Sequence, residues 1–161
     1  MTERSADKRD GAPQAPALEG NHSKVIRFDG QFGWEGVDLE DYKSTTESWR
    51  GVTRTELAGK RGESPRFHVR YFEIAPGGFS TLEKHQHEHV VIPQRGVGEI
   101  QFGCYQYRVG FGDVVYVAPE DPHQFRCPED ADEPFGFLCI VNAERDRPQA
   151  VDGMGACHIC E

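Results

Sequence analysis

The chain has 161 residues, with 18 Lys and Arg against 27 Asp and Glu, a formal net charge of −9 at pH 7. That length suits one domain with a real core, and the acidic balance excludes nucleic acid and anionic membrane as main partners, because both are held by basic patches. No apolar run approaches the roughly 20 residues of a spanning helix, and residues 1–7 lead into no apolar core, so the expectation is a soluble, cytoplasmic protein without a signal peptide.

Residues 1–22 are charged and rich in Ala, Pro and Gly, the composition of a disordered tail. From Val25 the pattern turns to short β-like runs at 48–52, 67–74, 89–93, 99–102, 113–117 and 135–141, punctuated by glycine and proline as at Pro76-Gly77-Gly78. Residues 38–44 fit either a short helix or a loop. Beyond Val141 the chain becomes polar through Glu144-Arg145-Asp146-Arg147-Pro148, and 144–161 are expected to form a loose C-terminal extension. Many short strands, no helical period and no internal repeat predict an all-β domain over 23–143, a barrel or sandwich of two antiparallel sheets.

Glu83, His85, His87 and His89 crowd into seven residues, and His123 follows a second glycine-rich stretch. Alternate residues of a strand point to one face, so this spacing places a carboxylate and imidazoles together as a candidate metal site. From Gly77 to Gly96 the run reads G-x5-E-x-H-x3-H-x6-G through Glu83, His85 and His89; from Gly112 to Cys127 it reads G-x5-A-x-E-x2-H-x3-C through Ala118, Glu120 and His123. These intervals resemble the two cupin motifs, G-x5-H-x-H-x3-E-x6-G and G-x5-P-x-G-x2-H-x3-N, with Glu83 and His89 exchanging residue types and Ala118, Glu120 and Cys127 replacing Pro, Gly and Asn. The resemblance implies a jelly-roll β-barrel in which Glu83, His85, His89 and His123 bind one divalent metal and His87 stays outside the ligand set. Three imidazoles and a carboxylate accept Mn, Fe, Co, Ni, Cu or Zn, and positions left open on the metal are what a Lewis-acid catalyst needs. His22, His68 and His158 read as ordinary surface or hydrogen-bonded histidines.

Five cysteines in a cytoplasmic chain are expected to be reduced. Cys139 lies in the apolar run Phe135-Gly136-Phe137-Leu138-Cys139-Ile140-Val141, and Cys127 follows His123 by four residues. Either is a candidate thiol facing the metal, against the alternative of a small buried filler. Cys104 beside Gly103 reads as a hairpin-turn residue. Cys157 and Cys160 form a C-x2-C around His158, without the two further ligands of a zinc site or the βαβ context of a redox motif.

The stretch 67–148, including His68-Val69-Arg70-Tyr71-Phe72 and the histidine run, is similar to the single-domain cupins of bacterial methylthioadenosine salvage, the 1-methylthioxylulose 5-phosphate methylsulfurylases. That resemblance implies manganese, a phosphorylated sugar substrate, glutathione as methylthio acceptor and 1-deoxyxylulose 5-phosphate as product. Cys139, then Cys127, are the expected catalytic thiols, and Arg70, Lys84 and Arg95 the candidates for the substrate phosphate. A homodimer is expected, since the 135–141 strand reads as apolar on both faces. The competing classes are a metal-dependent dioxygenase, a sugar isomerase or epimerase, and a non-catalytic binding cupin; the first needs dioxygen, the second no cysteine, and the third leaves its ligand unchanged.

Overall fold

A computed structural model describes residues 17–44 and 48–152. Residues 1–16 of the expected tail, and Cys157, His158 and Cys160, lie outside them. Among the described residues there are eleven strands and no helix, and none that is long and apolar enough to cross a membrane. They are β1 (Leu39–Asp41), β2 (Arg50–Ala58), β3 (Phe67–Phe79), β4 (Glu83–Lys84), β5 (His89–Arg95), β6 (Val97–Phe102), β7 (Tyr105–Gly110), β8 (Val115–Val117), β9 (His123–Arg126), β10 (Phe135–Asn142) and β11 (Gln149–Ala150).

Every pairing is antiparallel, and the pairings divide into two layers of a curled barrel, as expected for the jelly roll. One layer runs β1-β2-β3-β10-β5-β8 and the other β7-β6-β9-β4-β11. Strand β3 belongs to both: residues 67–74 pair with β2 and β10, while its last residue, Phe79, pairs with both Arg50 of β2 and Arg126 of β9. The corner between them is Pro76-Gly77-Gly78. Gly77 has φ of 73°, which side chains disfavour, and a Cβ on Gly78 would lie 2.6 Å from the Arg50 carbonyl oxygen.

The inner face follows the period of two. Phe72 and Ile74 of β3, Phe137, Cys139 and Val141 of β10, Val91 of β5 and Phe125 of β9 are buried in one cluster. Phe137 lies at its centre, with ring centroids 5.6 Å from Phe72, 5.1 Å from Phe125 and 5.1 Å from Phe135. On the outer face Tyr71 is covered by the segment before β1: the Trp34 ring sits 4.9 Å from it, and Phe32 is stacked between Tyr71 and Arg95.

Two sequence expectations change. Residues 38–44 contain no helix: Leu39–Asp41 pair with Thr53–Thr55 as β1. The segment after Glu144 is not loose as far as residue 150, because β11 pairs with β4 and the Val151 amide donates to the Leu82 carbonyl. We call residues 143–151 the C-terminal strap.

Candidate metal centre

Strand β4 is only two residues long, and its Glu83 pairs with His123 of β9. The chain then leaves the sheet for residues 85–88 and re-enters it at His89, the first residue of β5. The histidines therefore do not share one unbroken strand, as the alternation implied; a loop brings His85 across to His89 and His123. The strap shapes that loop. Asp146 accepts hydrogen bonds from the amides of Gln86 (2.9 Å) and His87 (3.1 Å) and contacts His87 Nδ1 at 2.6 Å, while the Glu120 amide donates to the His85 carbonyl at 2.7 Å.

His85, His89 and His123 offer ring nitrogens that all lie within 4.8 Å of one another, and all three residues are buried. Hydrogen bonds decide which nitrogen is free. His85 Nδ1 lies 2.6 Å from the His87 carbonyl and His123 Nδ1 2.8 Å from the Asp121 carbonyl; a carbonyl only accepts, so both Nδ1 atoms carry the proton and both Nε2 atoms present lone pairs. His89 Nδ1 has Cys139 Sγ as a neighbour at 3.5 Å, and its Nε2 stands 3.3 Å from that of His123. Burial, then the neighbouring imidazoles, pushes the His89 pKa down to about 2. Burial above all lowers His123 to about 4, and burial also lowers His85. Three neutral rings with converging lone pairs, each oriented from behind, are the donor set of a transition metal, and these residues fit one.

The remaining sequence candidates are placed as follows. Glu83 lines the same cavity, but its carboxylate is held by Lys43 Nζ at 2.5 Å and it is not part of the three-donor cluster. His87 also lines the cavity, its ring stacked 3.7 Å from that of His85, with Nδ1 committed to Asp146. Cys139 is on the cavity wall, 3% exposed, and accepts a hydrogen bond from Arg70 Nη2 at 3.3 Å. Burial raises its pKa, and the Arg70 charge opposes that rise. Cys127 is buried in the core but not on that wall, its thiol 3.7 Å from the Glu133 carbonyl. Of the three phosphate candidates only Arg70 lines the cavity. Arg95 is engaged outside by Glu73 and Glu133 (3.1 and 3.2 Å), and Lys84 faces Glu120 at 3.5 Å. Cys104 lies in the β6–β7 turn, as read.

The cavity measures about 220 Å³, far above the volume of a single water. The charged and phenolic side chains on its wall that were missed from sequence are Lys43, Arg54, Arg145 and Tyr42. Arg54 alone had a signal, since Val52-Thr53-Arg54 alternates with the buried Val52 on the inner face.

A two-layer antiparallel barrel with a buried three-histidine cluster on its cavity wall defines the class, and the cupin domain profile matches residues 70–141. The chain belongs to the cupin family. It is 46% identical over 133 residues to the 1-methylthio-D-xylulose 5-phosphate methylsulfurylase of Rhodospirillum rubrum, covering 81% of this chain and 83% of that protein. Among solved structures it is similar to a cupin-2 domain protein of Rhodospirillum rubrum (43% identity, 81% of this chain and 86% of that one, TM-score 0.70). A cupin 2 conserved barrel protein of Rhodopseudomonas palustris matches with 38% identity over 81% of this chain and 87% of its own, TM-score 0.69.

Proposed function

We propose that this cupin removes the methylthio group of 1-methylthioxylulose 5-phosphate, passes it to glutathione and releases 1-deoxyxylulose 5-phosphate. The observation that carries the reading is a thiol in the cavity wall, Cys139 Sγ, 3.5 Å from His89 Nδ1 and so directly behind a metal-binding imidazole. The 46% identity to a protein of that activity supports it.

His85, His89 and His123 would hold the metal, with Glu83 as fourth donor from the same wall and Lys43 balancing its charge. We take the metal to be manganese. Bound there, it supplies Lewis-acid stabilisation to negative charge developing on the substrate ketone oxygen.

The chemistry then falls to the protein and the thiols. A thiolate attacks the methylthio sulfur, the carbon–sulfur bond breaks, and its electron pair passes to the carbon beside the ketone as an enolate. A proton delivered to that carbon gives the methyl ketone. With Cys139 as the attacking thiol, the first product on the protein is a methyl disulfide, which glutathione resolves by thiol–disulfide exchange to free the cysteine. Arg70, donating to Cys139 Sγ, favours its thiolate. The apolar rings of Phe72, Phe125 and Phe137 line the same space and keep water from the enolate. A reducing cytoplasm suits this cycle, because it keeps the thiol available.

We take the working unit to be a homodimer. Tyr105, Tyr107, Phe111, Val114 and Tyr116 are exposed around the β7 and β8 edges, and Leu138 and Ile140 are only half-buried on the outer face of β10, surface that a second copy would cover. Sedimentation is expected to give twice the chain mass; a monomer at high concentration would refute it.

The deciding experiment is an anaerobic assay of the manganese-loaded protein with methylthioxylulose phosphate and glutathione, with Cys139→Ser in parallel. The expected result is turnover without dioxygen in the wild type, and in the variant full metal content with activity lost. Turnover that needs dioxygen would point to the oxygenase class. Unchanged activity in Cys139→Ser would leave direct attack by glutathione.

A further inference from the structure

The cavity wall carries two arginines that no carboxylate pairs with. Among the described residues neither Arg70 nor Arg145 has a carboxylate partner. Arg70 spends one donor on Cys139 Sγ, lies with its guanidinium 5.1 Å from the Phe72 ring centroid, and keeps a buried Nε–H that meets no acceptor. Arg145 has only neutral contacts, at His68 Nδ1 (3.3 Å) and the carbonyls of Asn142 (3.0 Å) and Ala143 (3.5 Å). Burial first, and then the charge of Arg70, disfavours the Arg145 cation. The carboxylate whose field reaches Arg145, that of Glu56, stands within ion-pair distance of Arg54 Nε (3.3 Å) and Lys60 Nζ (3.0 Å) through Oε1, and among the described residues neither of its oxygens accepts a hydrogen bond.

Two like charges held together in a partly buried wall repel. A dianion set against both relieves the repulsion, and planar guanidinium forks match phosphate oxygens in pairs. Contact with the Phe72 ring and the hydrogen bond to Cys139 Sγ restrain Arg70 beforehand, so less side-chain freedom remains to be lost on binding.

We infer that Arg70 and Arg145 form an anion pole in the cavity wall and bind the phosphate of the substrate, with Arg145 supplied by the C-terminal strap. Arg145 is the residue that sets the preference for phosphorylated over unphosphorylated sugars. It neighbours Asp146, which holds the loop carrying His85 and His87, so one short strap serves both the anion and the metal ends of the site. The assignment of that anion to the substrate rests on the proposed methylthio transfer from a sugar phosphate; the anion pole itself does not.

The test uses the full-length, metal-loaded protein with inorganic phosphate as probe, followed by titration calorimetry. Wild type is expected to bind phosphate, Arg145→Gln and Arg70→Gln each to weaken it about tenfold or more, as for loss of a charge-assisted contact, and Arg108→Gln, an equal charge change on the exposed β7, to leave it unchanged. Metal affinity and the thermal midpoint of Arg145→Gln should match wild type. If Arg70→Gln does not fold, Arg70→Lys keeps the charge and loses the fork, and should still weaken phosphate. Phosphate affinity untouched by Arg145→Gln, no phosphate binding by wild type, or binding abolished by chelating the metal alone would each overturn the anion pole. With substrate, the pole predicts a KM raised about tenfold or more in Arg145→Gln with a smaller change in kcat. Arginine-dependent phosphate binding without turnover of methylthioxylulose phosphate would sink the proposed reaction and leave the pole; turnover with KM indifferent to Arg145 would do the reverse.

Discussion

Lowering the pH of metal-free protein should expose the cost of keeping the histidines neutral. His89 and His123 have folded pKa values of about 2 and about 4 against an ordinary 6.5. Below pH 6.5 the unfolded chain takes up protons that the fold refuses, so stability falls as pH falls. Each group loses about 1.4 kcal/mol per pH unit in that window, and two groups over the two units down to about pH 4.5 lose up to about 5 kcal/mol, a large part of the roughly 5–15 kcal/mol of a typical domain. His85 shifts in the same direction and adds to the loss. The depressed carboxylates are separable. Glu63 and Asp146, each lowered to about 2 by hydrogen bonds, contribute stability present above their ordinary values and lost only below about pH 4.5. The assay is urea unfolding of chelator-treated protein at steps from about pH 7 to 4.5, for wild type and for the His89→Gln, His123→Gln double variant. A flat wild-type profile, or the same slope in the double variant, would refute the reasoning.

His123→Ala should cut metal content of the purified protein sharply while leaving a folded barrel; full occupancy at unchanged affinity would show that the ligand set is misassigned. Phe137→Ala removes the ring shared by Phe72, Phe125 and Phe135 and should cost about 3–5 kcal/mol in chemical denaturation. Glu120→Gly should raise stability by about 1 kcal/mol, because Glu120 holds φ of 65°, a conformation that costs a side-chain-bearing residue about 1–3 kcal/mol and glycine much less; a drop in the denaturation midpoint would count against it.

That last residue also shows how far the motif could be read. The cupin pattern has glycine where Glu120 stands, and the backbone keeps the left-handed turn that glycine would serve, so the interval carried the geometry although the residue type did not. The intervals likewise located His85, His89 and His123, and alternation with Phe137 and Val141 placed Cys139 on the inner face. What the alternation missed was the break at 85–88: a loop anchored by Asp146, which lies 57 residues beyond His89 in a polar tract with no periodicity to read. Lys43 and Arg145 were hidden for the same reason, since each comes from an irregular segment whose position is set by packing rather than by its own pattern. Arg70 was legible, in step with Phe72 and Ile74; Arg95 was not, because its outward pairing with Glu73 depends on neighbouring strands.

The strand order has a consequence for how the protein comes into being. Along the path β11-β4-β9-β3-β10-β5-β8 no two neighbours are consecutive in the chain, so each of those pairings must close a long loop before it returns any energy. The β6–β7 hairpin, turning at Gly103 and Cys104, forms locally and early, whereas His85 and His123 meet only when β4 and β9 pair across the sheet. Folding on the millisecond-to-second scale of such topologies follows, and a growing chain on the ribosome presents scattered imidazoles rather than a nest for an ion. Any ion these three histidines hold would therefore meet a finished barrel rather than a nascent chain.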